Sequence, residues 1–355
     1  MQDEPFDMTR RELLRLIGVA GGASAMLGAM TTMGHTLPSP YEGPPQLDGA
    51  PQGSKVLILG AGLAGMVAAL EMRRAGYEVQ ILEYQNRAGG RCWTLKGGDE
   101  FREMGGYRQT CEFSDGQYVN IGPWRIPHHH RALLDYCQRL GVQLEVFVQE
   151  NQNAWLHSTE AFGGEKKRYH AVWADYVGGI TEMLSKTVNQ GALDQLIGQE
   201  DKEMLLESLK SFGILDGQYR YTESLGTAEY RGYPDNSAPG GGLDYMPEPS
   251  QPIELGDIIR SGFWKHLRNH TTYRHHAPMF QPVGGMEEIA HAFEREVGDL
   301  ITYNAKVTRI MQDSGGVTVE YTDAEGVGGE TSRATADWCV CTIPFTILSQ
   351  IEMDV

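Results

Sequence analysis

The stretch Lys55-Val-Leu-Ile-Leu-Gly60-Ala-Gly62-Leu-Ala-Gly65 decides how this chain folds, together with the acid at Glu83. The apolar run Val56 to Leu59 reads as a strand buried on both faces. Gly60-Ala61-Gly62-Leu63-Ala64-Gly65 follows without a gap, and Met66 to Ala75 has a helical pattern stopped by Gly76. Each glycine has its own task in such a strand, turn and helix. Gly60 permits the tight turn, Gly62 lets a pyrophosphate reach the backbone, and Gly65 lets the helix lie close against the strand. The unpaired N–H groups and positive dipole end of that helix suit the anion. A second strand, Glu78 to Leu82, delivers Glu83 18 positions after Gly65, where an acid can bind ribose hydroxyls. A Gly-x-Gly-x-x-Gly alone is a weak signal. Strand, glycines, helix, strand and acid in this order predict a dinucleotide cradle.

The rest of the composition agrees with a globular protein of roughly two or three domains. The sequence has 355 residues, 41% of them hydrophobic, and a formal charge of −17. That charge excludes nucleic acid as a partner, because a phosphate backbone requires a basic surface. The five cysteines, Cys92, Cys111, Cys137, Cys339 and Cys341, form neither a disulfide framework nor a Cys-x-x-Cys metal pair. Cys339 and Cys341 fall on one face of a strand, and buried packing is the expectation for them. At the N-terminus, Thr9-Arg10-Arg11-Glu12-Leu13-Leu14-Arg15 precedes an Ala/Gly-rich apolar run to about Met33, which resembles a twin-arginine export signal. Residues 1–36 are assigned to that signal and 37–53 to a Pro/Gly-rich linker. A twin-arginine translocase carries folded proteins, so the expected location is periplasmic or secreted.

Past Glu83 comes Asn86-Arg87-Ala88-Gly89-Gly90-Arg91, a second glycine turn with an arginine. It suits a long, doubly charged cofactor, with the backbone closing over it and the Arg91 guanidinium meeting its phosphates. From Gly60 to Arg91 the chain resembles the FAD-binding opening of the flavin amine oxidase superfamily, which implies FAD as cofactor. The block Gly116 to Trp155 is similar to the L-amino-acid oxidases. Their motif is Gly-Pro-Met-Arg followed by an aliphatic residue and Pro; this chain has Gly122-Pro123-Trp124-Arg125-Ile126-Pro127, with Trp in place of Met. The resemblance implies that Gly122, Pro123, Trp124 and Arg125 contact the cofactor and that Arg125 binds the substrate carboxylate; a planar guanidinium fork is suited to two parallel charge-assisted bonds. Arg108, in Met104-Gly-Gly-Tyr-Arg108, is a weaker rival because no Ile-Pro follows it. His128-His129-His130 forms no metal site, since consecutive helical residues diverge; a solvated helix start is expected there.

The resemblance implies an α/β fold: a Rossmann-like FAD-binding domain of amine oxidase type, a helical region and part of a mixed-sheet substrate domain. The expected divisions are FAD-binding at 54–111 and 275–345, substrate domain at 112–165, a helical region at 166–274, and at 346–355 the start of a second substrate part. A helix over Leu193 to Phe212 and packing roles for Tyr219, Tyr221 and Tyr230 are expected in the helical region. Ile301 to Ile310 and Gly316 to Tyr321 alternate as strands, and the resemblance gives the Val307 backbone a place at the adenine end of FAD. Asp337 to Pro344 resembles the strand that returns beside the cofactor. The resembled family places a catalytic lysine and a last glycine-rich segment beyond the position of Val355. A C-terminally truncated chain, inactive alone and completed by a longer frame or a complementing chain, is therefore the expectation, with a homodimer as the other assembly. The implied reaction is FAD-dependent oxidation of an L-amino acid by O2 to a 2-oxo acid, ammonia and hydrogen peroxide. Three alternatives stay open: an oxidase of amines lacking a carboxylate, an enzyme with another electron acceptor or outcome, and a non-catalytic FAD-binding fragment.

Overall fold

The computed structural model describes residues 39–103, 106–191, 196–234, 246–268, 272, 278–324 and 330–355. The twin-arginine segment lies outside the described residues. Two compact units divide the chain, Met1–Phe147 with His276–Val355, and Val148–His275.

The first unit is α/β and Rossmann-like. It contains β1 (Lys55–Leu59), α1 (Leu63–Arg74), β2 (Glu78–Leu82), α2 (Arg131–Arg139), α3 (Glu287–Val297) and β3 (Ile301–Thr302). It continues through β4 (Ala305–Asp313), β5 (Gly316–Asp323), β6 (Ser332–Ala336), β7 (Trp338–Cys341) and β8 (Glu352–Asp354). A parallel sheet has the order β3-β2-β1-β7. Central strand β1 explains the apolar run. Val56 and Ile58 pack with Met66 and Leu70 of α1 and Phe293 of α3. Leu57 and Leu59 pack with Val307, Ile310 and Val319 of a second sheet, ordered β6-β5-β4-β8. Covered by helices on one side and a sheet on the other, β1 has no polar face to alternate with.

The expected single strand from Ile301 to Ile310 is instead two strands in two sheets. Asn304 takes a left-handed conformation, φ 56°, that Asn tolerates better than most residues, and turns the chain from one sheet into the other. Glu83 spans the break: its N–H donates to the Thr302 carbonyl at 2.9 Å, and its carbonyl accepts from Ala305 N–H at 2.8 Å. Cys92 and Cys137 are buried, but of the two cysteines expected to be buried, Cys339 is only partly so and Cys341 is exposed, because β7 is the edge strand of its sheet and Cys341 ends it. A small antiparallel sheet joins Ile126–Pro127, Met279–Pro282 and Leu144–Val146.

The second unit is helical, with helices at Tyr169–Asn189, Gln199–Gly213, Leu225–Arg231 and Leu255–Ser261. It begins at Val148 rather than near 166, because the hairpin of Trp155–Leu156 with Lys167–Arg168 leads directly into the long helix; Tyr169 N–H donates to the Ala154 carbonyl. The helix expected from Leu193 starts at Gln199, after Gly198, and residues 192–195 are outside the described set. Asp175 and Arg231 form an ion pair at 3.1 Å with both side chains almost wholly buried. Tyr221 donates its hydroxyl to Asp175 at 2.8 Å, so it belongs to this network, whereas Tyr230 is exposed. No helix among the described residues is long and apolar enough to cross a membrane.

Candidate functional site

The turn after β1 is built by close backbone approaches. Gly60 has φ 101°, and a Cβ there would lie 2.8 Å from Thr342 Oγ1. Gly65 allows no side chain, since its Cβ would fall 2.0 Å from the Gly60 carbonyl oxygen, so α1 lies directly on the turn. Gly62 differs from both. A Cβ there would meet nothing within 4 Å, and as N-cap of α1 it offers no side-chain hydrogen bond to the first-turn N–H groups. Ala61 is fully buried, while Leu63 and Ala64 open the helix. An uncapped helix start beside an open glycine is an anion site in waiting.

The second glycine turn lies against the first. Gly89 N–H donates to the Ala61 carbonyl at 2.8 Å, and Gly62 bridges to Gly89 in parallel fashion. Arg87, whose role the sequence reading missed, holds this turn shut. Its guanidinium donates to the Ala88 and Gly90 carbonyls at 3.2 and 2.8 Å and lies 4.1 Å from the Trp93 ring centroid. Burial draws the Arg87 guanidinium below its usual pKa, against the pull of Glu287 and Glu83. Arg91 points outward, exposed and without a hydrogen bond or ion pair among the described residues. Burial, then the charge of Glu287, pushes the Cys92 thiol up to about 11, which keeps it neutral and inert.

Glu83 is 7% exposed. Its carboxylate accepts from Ala61 N–H at 2.6 Å and from Gln85 N–H at 2.8 Å, tying the acid to the glycine turn. Each oxygen retains lone pairs for a further donor. Val307 is buried on β4, two positions beyond Ala305, and pairs with Tyr321. Thr342 is a second residue the sequence reading missed. Its Oγ1 donates to the Leu59 carbonyl at 2.9 Å and fills the space beside Gly60. No spacing rule marks a threonine that meets the turn only after more than two hundred residues of intervening chain.

The Gly122–Pro127 block joins this cradle through its glycine, whose Cβ would fall 1.8 Å from the Arg91 carbonyl oxygen. Pro123 and Trp124 are exposed, and Arg125 is half-buried ahead of the strand Ile126–Pro127. The Arg125 guanidinium carbon lies 4.8 Å from the Trp124 ring centroid. Arg108, the rival anchor, is on a separate exposed hairpin within 3.9 Å of Glu100. His128 is buried, not solvated: it is 1% exposed, with Nδ1 3.2 Å from the Pro278 carbonyl. Desolvation, then the charge of Arg125 and the neighbouring His128, holds the His130 imidazole below its ordinary value. Among the described residues no His, Cys, Asp or Glu cluster could hold a metal.

The profile of the family described as flavin containing amine oxidoreductase matches residues 63–354. The chain belongs to this family. Its members are built around a flavin, and FAD is the cofactor; open Gly62 and the uncapped start of α1 leave room and backbone donors for its pyrophosphate. Curated relatives in the flavin amine oxidoreductase family include L-amino acid oxidase Bs29 of Bothriechis schlegelii, 30% identical over 297 residues, covering 81% of this chain and 52% of that protein. BmooLAAO-I of Bothrops moojeni is likewise 30% identical, over 295 residues and with the same shares. The chain thus spans about half the length of the curated relatives it matches. A solved wild-type putrescine oxidase bound to putrescine aligns at 20% identity and a TM-score of 0.42, covering 85% of this chain and 60% of that one, which adds nothing about substrate.

Proposed function

We propose that the full-length protein oxidises L-amino acids with FAD and O2, releasing a 2-oxo acid, ammonia and hydrogen peroxide. The observation that carries this reading is the connection of Arg125 to the cofactor turn. Gly122 is packed on the Arg91 carbonyl, and Arg125 stands three residues further along. A guanidinium there can receive a carboxylate in bidentate fashion and so fix a substrate's orientation relative to the cofactor. The L-amino-acid oxidases among the relatives support the same substrate class. In this reading Glu83 holds the ribose, Gly60 to Gly65 and Arg91 the pyrophosphate, and Val307 the adenine end. FAD, when bound, supplies the two-electron oxidation of the substrate Cα–N bond and passes the electrons to O2. Residues 1–36 direct a folded, FAD-loaded protein to the periplasm or beyond.

The test is Arg125→Ala in the full-length protein, with peroxide as the readout. KM for L-amino acids should rise at least about tenfold, or about 1.4 kcal/mol of lost binding, while FAD content is unchanged. An unaltered KM would remove the carboxylate role from Arg125.

A further inference from the structure

Trp124 and Arg125 are neighbours in the irregular segment before the strand Ile126–Pro127, and the guanidinium lies over the indole with its carbon 4.8 Å from the ring centroid, within cation–π range. The indole is itself held from outside. Phe147 meets it edge-on at 5.6 Å and 85°. Phe147 N–H donates to the Met279 carbonyl, on the strand Met279–Pro282 that also pairs with Ile126–Pro127. One small sheet therefore anchors both the arginine and the aromatic pair beside it. Trp124 is 50% exposed, which leaves its ring face accessible to the guanidinium.

We infer that Trp124 is a positioning residue for Arg125, holding its guanidinium in one plane so that a carboxylate meets a pre-set fork. This rests on the carboxylate role proposed for Arg125. The contact attracts the guanidinium to the ring face and uses none of its N–H donors. A flexible arginine would have to be ordered by each substrate; one held on the indole is ordered in advance. The contribution belongs to carboxylate binding, because the group that the indole contacts is the Arg125 guanidinium.

The experiment uses the full-length, FAD-loaded protein and measures KM for an L-amino acid beside the inhibition constant of its decarboxylated amine. Trp124→Leu should raise KM roughly fivefold to tenfold, Trp124→Phe should stay within about threefold, and the amine constant and FAD content should not move. On an Arg125→Ala background, Trp124→Leu should add no further loss. Equal effects of Leu and Phe, a parallel loss for acid and amine, or a full additional loss on the Arg125→Ala background would each overturn the inference. If Trp124→Leu does not load FAD, Phe147→Leu replaces it: KM should rise about threefold with the amine constant unchanged, and an unmoved KM overturns the inference. Failure of Arg125→Ala to alter KM is a different result, because it removes the substrate reading beneath it.

Discussion

At the scale of single residues, the glycines of the first turn have separable roles. Gly65 is excluded from bearing a side chain by a backbone oxygen 2.0 Å from where its Cβ would sit. Gly65→Ala is therefore expected to push α1 off the turn and to lower both stability and FAD affinity. Gly62 faces open space, so Gly62→Ala should change apo stability by no more than about 1 kcal/mol. It should still weaken FAD by about tenfold or more, because the methyl group occupies the pyrophosphate's approach. Urea unfolding of the apo protein and a fluorescence titration with FAD separate the two, and equal stability losses would contradict this division. His130 gives a pH signature. Its folded-state pKa lies below the ordinary 6.5, so the unfolded chain binds more protons between those two values. Its share of the stability is full above 6.5 and is lost as the pH falls toward the folded value. His130→Gln should flatten the stability curve across that window, and an NMR titration of the ring should show a midpoint below 6.5.

At the scale of elements, the strands and helices of the cradle were legible because their signals are local. Val56 to Leu59 announced a doubly covered strand, and the structure places it between helices and a second sheet. The break at Asn304 was not legible, since the alternation of Ile301 to Ile310 runs through it unchanged. Only pairing of Ile301 with Ile81 on one side, and of Ala305 with Asp323 on the other, divides that run. The helical unit was the least readable, because what orders it is a polar network of distant residues. Asp175 accepts from Tyr221, Arg231 and Ile253 N–H, and burial still raises its pKa. Removing one member leaves the other charge buried without a partner. Arg231→Met is expected to destabilise the chain by about 3–5 kcal/mol in denaturant unfolding, while an exposed arginine such as Arg333→Met should cost less than about 1 kcal/mol. A loss below about 1 kcal/mol for Arg231→Met would mean that the network adds little.

At the scale of the whole molecule, membership in the flavin amine oxidoreductase family rests on a match that runs through both units. The export proposal also belongs here, because a translocase for folded cargo lets a cofactor be loaded before transport. Arg10→Lys with Arg11→Lys should retain the protein in the cytoplasm with its FAD content intact. Export of that double variant at the wild-type level, seen by cell fractionation, would remove the twin-arginine reading.

From local pattern alone came the cradle: glycine spacing, apolar runs and an acid at the right interval act within a few dozen residues, where chain geometry leaves few choices. Tertiary structure decided what distant segments bring to that cradle. Thr342 beside Gly60, Gly122 against Arg91, and the aromatic pair that holds Arg125 depend on how strands far apart in sequence pair and stack. Such contacts leave no period or spacing in the chain, because the distance that matters to them is measured through space.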